Sequence, residues 1–232
     1  MNKILKLSAI ALLASSTSLM AQSKNFAGAS LGISLSAIGA EISGSSTSSS
    51  GADLGSNSTS GSIGKVAEIA AIDASYGFAM GANSVFVVGA TYTPGKAKAG
   101  SGNYTERNTF NTTTGVNDTG ALDVQIKDPY TIYVAPTYVV GNNAALYAKL
   151  GYSKADIDVS ATGGAALTVK PSDLEGWTYA IGSKTLLTNN VYVGVEASIT
   201  DYDAISATRS GSVKTSADVK VAQGTITLGY KF

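Results

Sequence analysis

Apolar and polar residues alternate one by one along most of the chain, and the clearest example is the final stretch. Ile226, Leu228, Tyr230 and Phe232 fall on one face, whereas threonine, glycine and lysine residues fall on the other. A strict period of two predicts a β-strand with one apolar and one polar face. The same alternation recurs upstream, so the sequence predicts an all-β chain with eight strands.

The predicted strands are joined by connections of two kinds. Three connections are tight and rich in Gly and Asn, at 81–83, 141–143 and 188–190. Four connections are longer and rich in Ser, Thr, Gly and Asn, at 44–62, 95–120, 158–172 and 208–216. Such a composition predicts long polar loops in solvent. An even number of antiparallel strands, with tight turns at one end and long loops at the other, predicts an up-and-down transmembrane β-barrel.

The two faces of the predicted strands distinguish a membrane barrel from a soluble one. In a lipocalin-like barrel the apolar face points inward, whereas in a membrane barrel it points at lipid. The polar faces here consist mostly of Gly, Ser, Ala and Thr, which suit a narrow lumen. Aromatic residues mark both ends of the apolar faces, as at the two interfaces of a bilayer. They are Phe78, Tyr138, Tyr230 and Phe232 near the tight turns, and Tyr92, Tyr130, Tyr152 and Trp177 toward the long loops.

Four charged residues share the parity of the polar faces, so we expect Asp73, Lys149, Lys184 and Glu196 to point into the lumen. One interpretation is a charged constriction or a binding site. The other is internal salt bridging, which a narrow interior requires and which the balance of two charges of each sign favours. If the hairpin centres near Asn190, Lys184 and Glu196 stand directly opposite each other.

Residues 1–21 have the layout of a secretory signal peptide, because lysines precede a short apolar run and small residues follow it. We expect cleavage after Ala21, which leaves 22–232 as a single barrel domain. Removing Lys3 and Lys6 from the 16 basic residues leaves 14 against 16 acidic ones. The mature chain therefore has no basic field for nucleic acid.

The sequence contains no cysteine and no histidine. Without imidazole, a serine–histidine acyl-transfer site, a His-ligated zinc site and the usual general base near neutral pH are missing. We therefore expect neither an enzyme nor a cofactor. Two acidic pairs, Asp156 with Asp158 and Asp201 with Asp203, offer oxygen ligands for a divalent cation or for cation-bridged lipopolysaccharide. Solvated acidic loop ends are the simpler interpretation.

Two segments in the last third of the chain resemble the opacity-like family of small outer-membrane β-barrels. They are Gly-Trp-Thr at 176–178, and Glu followed by Thr-Asp-Tyr within 195–202. The resemblance implies an outer-membrane location and a structural or surface-interaction role. The final strand also resembles the closing strand of such barrels, whose ending is the signal read by the barrel assembly machinery. By that resemblance the assembly signal comprises Ile226, Leu228, Tyr230 and Phe232.

Three functions follow from this reading. The first is a structural barrel whose loops meet the environment or an extracellular partner, and the second is a narrow channel for small or apolar solutes. The third, an enzyme acting on lipid or peptide, is disfavoured because the usual acid–base residue is missing. We expect a monomer whose partners are outer-membrane lipid, lipopolysaccharide and the barrel assembly machinery.

Deleting Phe232 should impair membrane insertion far more than deleting Ser58, because only Phe232 belongs to the closing strand. Insertion is measured as the fraction of expressed protein that is heat-modifiable on gels of the outer-membrane fraction. Equal insertion of the two variants would contradict a role for the chain's final residue in assembly.

Overall fold

The computed structural model describes residues 22–48, 60–107, 117–162, 167–170, 173–209 and 213–232. Within these ranges nearly all residues lie in β-strands, and a short 3-10 helix at Ser23–Asn25 precedes the first strand. The strands are β1 Gly28–Ser48, β2 Ser60–Ala79, β3 Ser84–Tyr92, β4 Lys96–Arg107, β5 Asn117–Val140, β6 Ala144–Thr162, β7 Leu167–Lys170, β8 Asp173–Leu186, β9 Val191–Arg209 and β10 Val213–Lys231. No helix in these ranges is long and apolar enough to cross a membrane.

Eight of the strands close into an antiparallel barrel. Hydrogen-bonded neighbours follow the order β1, β2, β3, β5, β6, β8, β9 and β10, and β10 pairs back with β1. The remaining strands, β4 and β7, pair with β5 and β9 respectively and continue the wall beyond the ends of β3 and β8. The predicted eight-stranded up-and-down barrel is therefore confirmed.

The strands extend well beyond the loops predicted from composition. In the predicted loop 44–62, β1 and β2 remain paired as far as Ser45 and Ser60. The predicted loop 95–120 contains β4, which pairs with β5 from one end of β4 to the other. The prediction of long irregular loops is wrong over these residues.

The other two predicted loops are shortened in the same way. β7 lies inside the predicted loop 158–172, and β9 and β10 pair as far as Arg209 and Val213 within the predicted loop 208–216. The physical reason is that backbone amides make a strand ladder, so Ser-, Thr- and Gly-rich segments support a hairpin when they continue an existing sheet. Polar composition alone therefore did not identify loops, and the remaining predicted loop residues lie outside the described ranges.

Exposed apolar side chains surround the outside of the barrel. Ile33 is 65% exposed and Ile181 is 69% exposed, values that would be unfavourable for a large water-facing patch but suit contact with lipid. Seven of the eight predicted interface aromatics are exposed, and Tyr152 is half-buried against Trp177 with ring centroids 5.5 Å apart. The positions of the two aromatic bands agree with the prediction. The outer band consists of Tyr92, Tyr130, Tyr152 and Trp177.

An apolar layer fills the lumen at the tight-turn end. Its buried members are Val85, Val87, Tyr133, Ala135, Val139 and Ala145. Phe26 packs against this layer from the N-terminal segment. Ser23 fastens that segment across the turn 81–83, because its amide donates to the Ala82 carbonyl at 2.9 Å and its hydroxyl to the Gly81 carbonyl at 2.5 Å. The lumen is thus closed at this end by side chains.

Three tyrosines inside the barrel each lie against a glycine on the neighbouring strand. The directly paired residues are Tyr133–Gly89, Tyr147–Gly182 and Tyr192–Gly229. A Cβ atom on any of these glycines would overlap the tyrosine ring. Aromatic side chains that cover a strand glycine shield its backbone and fix the register of the two strands.

Replacing Gly182 by alanine should lower the free energy of unfolding by about 1–3 kcal/mol, because the new methyl group overlaps the Tyr147 ring. Gly224→Ala is the matched control, since a Cβ there meets open space. Each variant is unfolded with urea in lipid vesicles, and the folded fraction is measured by heat-modifiability on gels. Equal unfolding midpoints for the two variants would refute the steric role of Gly182.

Candidate functional site

The buried ion pair at the centre of the lumen joins Lys149 and Glu196. The Lys149 Nζ lies 2.6 Å from the Glu196 Oε2, and each side chain is 12% exposed. The Tyr147 hydroxyl donates to the same Glu196 oxygen at 2.8 Å. The Lys149 ammonium also lies 4.3 Å from the centroid of the Tyr133 ring. Both charges are thus compensated by close partners, as burial requires.

Asp73 is held by hydroxyl donors. The Tyr133 hydroxyl lies 2.8 and 3.0 Å from the two Asp73 carboxylate oxygens, and the Thr91 hydroxyl donates to Asp73 at 2.8 Å. Hydrogen bonds to an ionised acceptor are strong, and they stabilise the carboxylate in this 9% exposed position. Tyr133 therefore connects the carboxylate of Asp73 with the ammonium of Lys149.

The predicted direct pairing of Lys184 with Glu196 is wrong. Lys184 lies opposite Gly194 in the β8–β9 ladder, and Glu196 lies opposite Gly182. The hairpin centres one residue before Asn190, and a shift of one residue at the centre moves every cross-strand partner by two. Glu196 instead binds Lys149 of β6, which lies on the far side of the intervening strand β8.

Lys184 packs against aromatic rings. Its ammonium lies 4.9 Å from the centroid of Tyr192 and 5.8 Å from that of Tyr147. Such contacts contribute about 2 kcal/mol when the cation is desolvated. We define the charged layer as Asp73, Tyr133, Tyr147, Lys149, Lys184, Tyr192 and Glu196. The free space among these residues is a cavity of about 50 Å³, room for a water molecule or two.

A row of hydroxyl groups follows the charged layer on the side away from the tight turns. Thr131 bonds Ser153 at 2.7 Å, Ser153 bonds Thr178 at 2.5 Å, and Thr178 bonds Thr200 at 2.7 Å. These residues come from four consecutive strands of the barrel, β5, β6, β8 and β9. The row therefore spans half of the lumen wall and supplies both donors and acceptors.

Beyond the hydroxyl row the lumen becomes apolar again. We call the part of the barrel beyond the outer aromatic band the extension. Its buried core comprises Ile38, Ala40, Ala97, Val124, Ile126, Ala155, Leu174, Tyr202, Ile205, Val219 and Val221. Sequence reasoning missed this core, although β1 carries the signal, since its inward positions change from Ser34 and Ser36 to Ile38 and Ala40. The polarity of the two faces is inverted outside the bilayer.

The barrel wall is interrupted between β2 and β4. The ladder between β2 and β3 ends at Ile72 and Tyr92, and beyond it β4 pairs with β5 alone. Pro94 has no amide donor, and Gly95 has φ +103°, a conformation that favours glycine. No strand ladder joins β2 to β4 in the described ranges, and a lumen cavity reaches this gap in the wall, where the exposed residues Glu68 and Ala70 line it. We call this gap the opening.

On the β4 side of this opening, hydrogen bonds fix the start of β4 to β5. The Gly95 amide donates to the Asp128 carboxylate at 2.8 Å, and the Asp128 amide donates to the Gly95 carbonyl at 2.8 Å. Asp128 has φ 45°, and the β5–β6 ladder shifts its register between Lys127 and Tyr130. The Thr93 amide donates to the Pro129 carbonyl at 2.9 Å. These reciprocal bonds hold the interruption in a defined geometry.

Ion pairs lie on the outside of the extension. Lys127 contacts Asp158 at 2.5 Å, and Lys220 lies 3.8 Å from Asp201. The hydrogen bond from Lys127 and its positive charge lower the pKa of Asp158 below its ordinary value. Two of the four acidic residues that suggested a cation site are thus paired with lysines. The described residues contain no group of three or more His, Cys, Asp and Glu side chains arranged to hold a metal ion.

Three of the residues proposed as the assembly signal lie on the lipid-facing side of β10, and the fourth, Phe232, directly follows the strand. All four are exposed, and the rings of Tyr230 and Phe232 are in contact with centroids 5.1 Å apart. The β10 backbone is also fixed at the tight-turn end, where the Asn190 side chain donates to the Lys231 carbonyl at 2.7 Å. The final residues are therefore held in the wall and present a continuous apolar stripe.

Comparisons with known proteins place this geometry in a family. The sequence matches the family described as "Outer membrane protein beta-barrel domain" over residues 9–232. No curated protein sequence matches the chain at a significant level. The outer membrane protein OprG from Pseudomonas aeruginosa is 13% identical, with 89% of this chain and 96% of OprG covered and a TM-score of 0.50. At this identity the likeness to OprG concerns the fold alone.

Two other solved structures are similar at lower TM-scores. The outer membrane protease OmpT from Escherichia coli is 11% identical, with 88% of this chain and 96% of OmpT covered and a TM-score of 0.49. The attachment invasion locus protein Ail of Yersinia pestis is 12% identical, with 88% of this chain and 99% of Ail covered and a TM-score of 0.42.

Replacing Lys149 by methionine should lower the free energy of unfolding by roughly 3 kcal/mol, because Glu196 is left buried without its cation. The double change Lys149→Met with Glu196→Gln should recover much of that loss. Lys220→Met is the control, because its ion pair is exposed and contributes about 0–1 kcal/mol. Urea unfolding in vesicles measures all three. A loss for Lys149→Met no larger than for Lys220→Met would show that the lumen pair is not structural.

Proposed function

The chain belongs to the outer membrane protein beta-barrel family, and on that premise we propose that it is a structural barrel whose lumen is blocked at the charged layer and that presents its extension at the cell surface. The barrel resides in the outer membrane, as its family and its lipid-facing belt indicate. The observation that carries the proposal is the filling of the lumen. An apolar layer, the charged layer, the hydroxyl row and the core of the extension follow one another from the tight turns outward.

The outer face of the extension supports a surface-interaction role. Its exposed positions include Glu41, Lys98, Asp218 and Lys220, whereas its inward positions are apolar. A mixed-charge face of this kind suits contact with lipopolysaccharide and with an extracellular partner. We propose that the barrel acts as a monomer there, with residues 1–21 removed as a signal peptide and 22–232 retained.

The proposed role is not enzymatic. The sequence lacks histidine, and the lumen carboxylates of Asp73 and Glu196 are engaged by hydroxyl groups and by Lys149. A general acid or base must be able to reach a substrate proton, which these partnered groups do not offer. We further propose that Ile226, Leu228, Tyr230 and Phe232 are the assembly signal, since they form one exposed stripe on the closing strand.

A second candidate function is a narrow channel for small or apolar solutes. One observation favours it, namely a cavity of about 230 Å³ that is reached from the opening between β2 and β4. The charged layer lies between this cavity and the tight turns, and a solute that crosses the barrel has to displace it. The two functions therefore differ in whether ions and small solutes can pass the charged layer.

The closed barrel should show little steady current in planar lipid bilayers, because the charged layer leaves a cavity of only about 50 Å³. Glu196→Gln should raise the current by removing the partner of Lys149, whereas Lys220→Met, outside the lumen, should not. A large and stable native current whose ion selectivity changes in Glu196→Gln would favour the channel and contradict the structural role.

A further inference from the structure

We propose that the cavity behind the opening between β2 and β4 is a binding site for a small neutral amphiphile, a molecule with one apolar part and one hydroxyl or carbonyl end. We call it the side cavity. Its volume is about 230 Å³, and its walls come from the extension, the hydroxyl row and the charged layer. The assignment goes beyond a structural role and does not depend on whether the lumen conducts.

The wall of the side cavity nearest the extension is apolar. Ile38, Ile69, Ala97, Ile126 and Val221 line it. Four of these residues belong to the buried core of the extension and Ile69 packs against it, so the surface is held in place by neighbouring side chains. Burying an alkyl or aryl group against such a surface is favourable by about 25 cal/mol per Å².

The opposite wall is polar and carries no net charge. Thr91, Thr178, Ser198, Thr200 and Gln223 line it with hydroxyl and amide groups, together with Lys149 and Glu196. The ammonium and the carboxylate lie 2.6 Å apart and neutralise each other. A carboxylate ligand would compete with Glu196 for the lysine, whereas a neutral hydroxyl or carbonyl group bonds to this wall without disturbing the pair. The wall therefore selects a neutral polar end.

The entrance faces the outer interface of the bilayer. Glu68, Ala70, Thr93, Gly95 and Lys96 line the cavity where β2 and β4 lie unpaired. Residues next to it include Tyr92 of the outer aromatic band, which marks the level of the headgroups. Amphiphiles collect at this level of a membrane, so they meet the entrance directly. The mixed polarity of the mouth suits a molecule that arrives with both kinds of surface.

The size of the cavity limits the ligand. About 230 Å³ holds roughly eight or nine groups of the size of water or methylene, at about 25–30 Å³ each. This is below the usual range for drug-sized ligands, about 300–1,000 Å³. Phospholipid chains are too long, whereas an eight-carbon alcohol or a single-ring aromatic alcohol fits. Octan-1-ol is therefore a suitable probe.

The experiment uses the full barrel in lipid vesicles with a diazirine derivative of octan-1-ol. After photolysis, labelled residues are mapped by mass spectrometry. We expect saturable labelling of Ile38, Ala97 or Ile126, and competition by octan-1-ol that is about tenfold better than by octanoate. Labelling that never saturates, or that is confined to lipid-facing residues such as Ile33 and Ile181, would overturn the assignment and leave the cavity to water.

Two variants test the two walls separately. Ala97→Trp fills the apolar side and should abolish saturable labelling, whereas Ala222→Trp, exposed on β10 beside Val221, should leave it unchanged. Heat-modifiability verifies that each variant folds. Glu196→Gln leaves the Lys149 charge unneutralised and should reverse the preference, so that octanoate competes better than octan-1-ol. Unchanged labelling in Ala97→Trp, or an unchanged preference in Glu196→Gln, would refute the site.

Discussion

The closure of the sheet through the β10–β1 ladder is the constraint on which the rest of the structure depends. A bilayer offers no water to unpaired amides, so a strand-built membrane protein must satisfy every backbone group within its own wall. Once the wall is closed, each side chain faces either lipid or lumen. Because side chains alternate along a strand, the position of a residue in the strand determines which side it faces. The lipid-facing Ile33 and the buried Ser34 are consecutive residues with opposite environments. The odd or even position of a residue along its strand can therefore be used to assign its environment.

A closed wall of eight strands encloses a narrow interior, and this width governs the chemistry inside it. Large charged side chains there have little water, so they bind one another or hydroxyl groups, as Glu196 does with Lys149 and Tyr147. Above the bilayer the outside of the wall meets water, and the aliphatic residues move inward, as Ile38 does. The inversion of polarity along a single strand follows from the change of solvent outside.

Much of this architecture can be predicted from the sequence, because parity and tight-turn composition are local signals. They predicted the strand number, the exposed aromatic bands and the inward direction of Lys149 and Glu196. Composition failed over Lys96–Arg107 within the predicted loop 95–120, because these polar residues form a strand by pairing with the neighbouring β5. The predicted cross-strand partner of Lys184 was wrong because the centre of a hairpin depends on turn geometry, which Asn and Gly residues alone do not specify.

The Tyr–Gly pairs have a consequence for assembly. Each pair joins strands from different tight hairpins, since β3 meets β5, β6 meets β8, and β9 meets β10. Tight turns fix alignment within a hairpin, whereas each Tyr–Gly pair lies toward the tight-turn end of the wall, far from the connection that joins its two strands. A slip of two residues brings a tyrosine ring against a side chain larger than hydrogen and is sterically rejected. The glycines thus favour the native register at the three junctions between neighbouring tight hairpins.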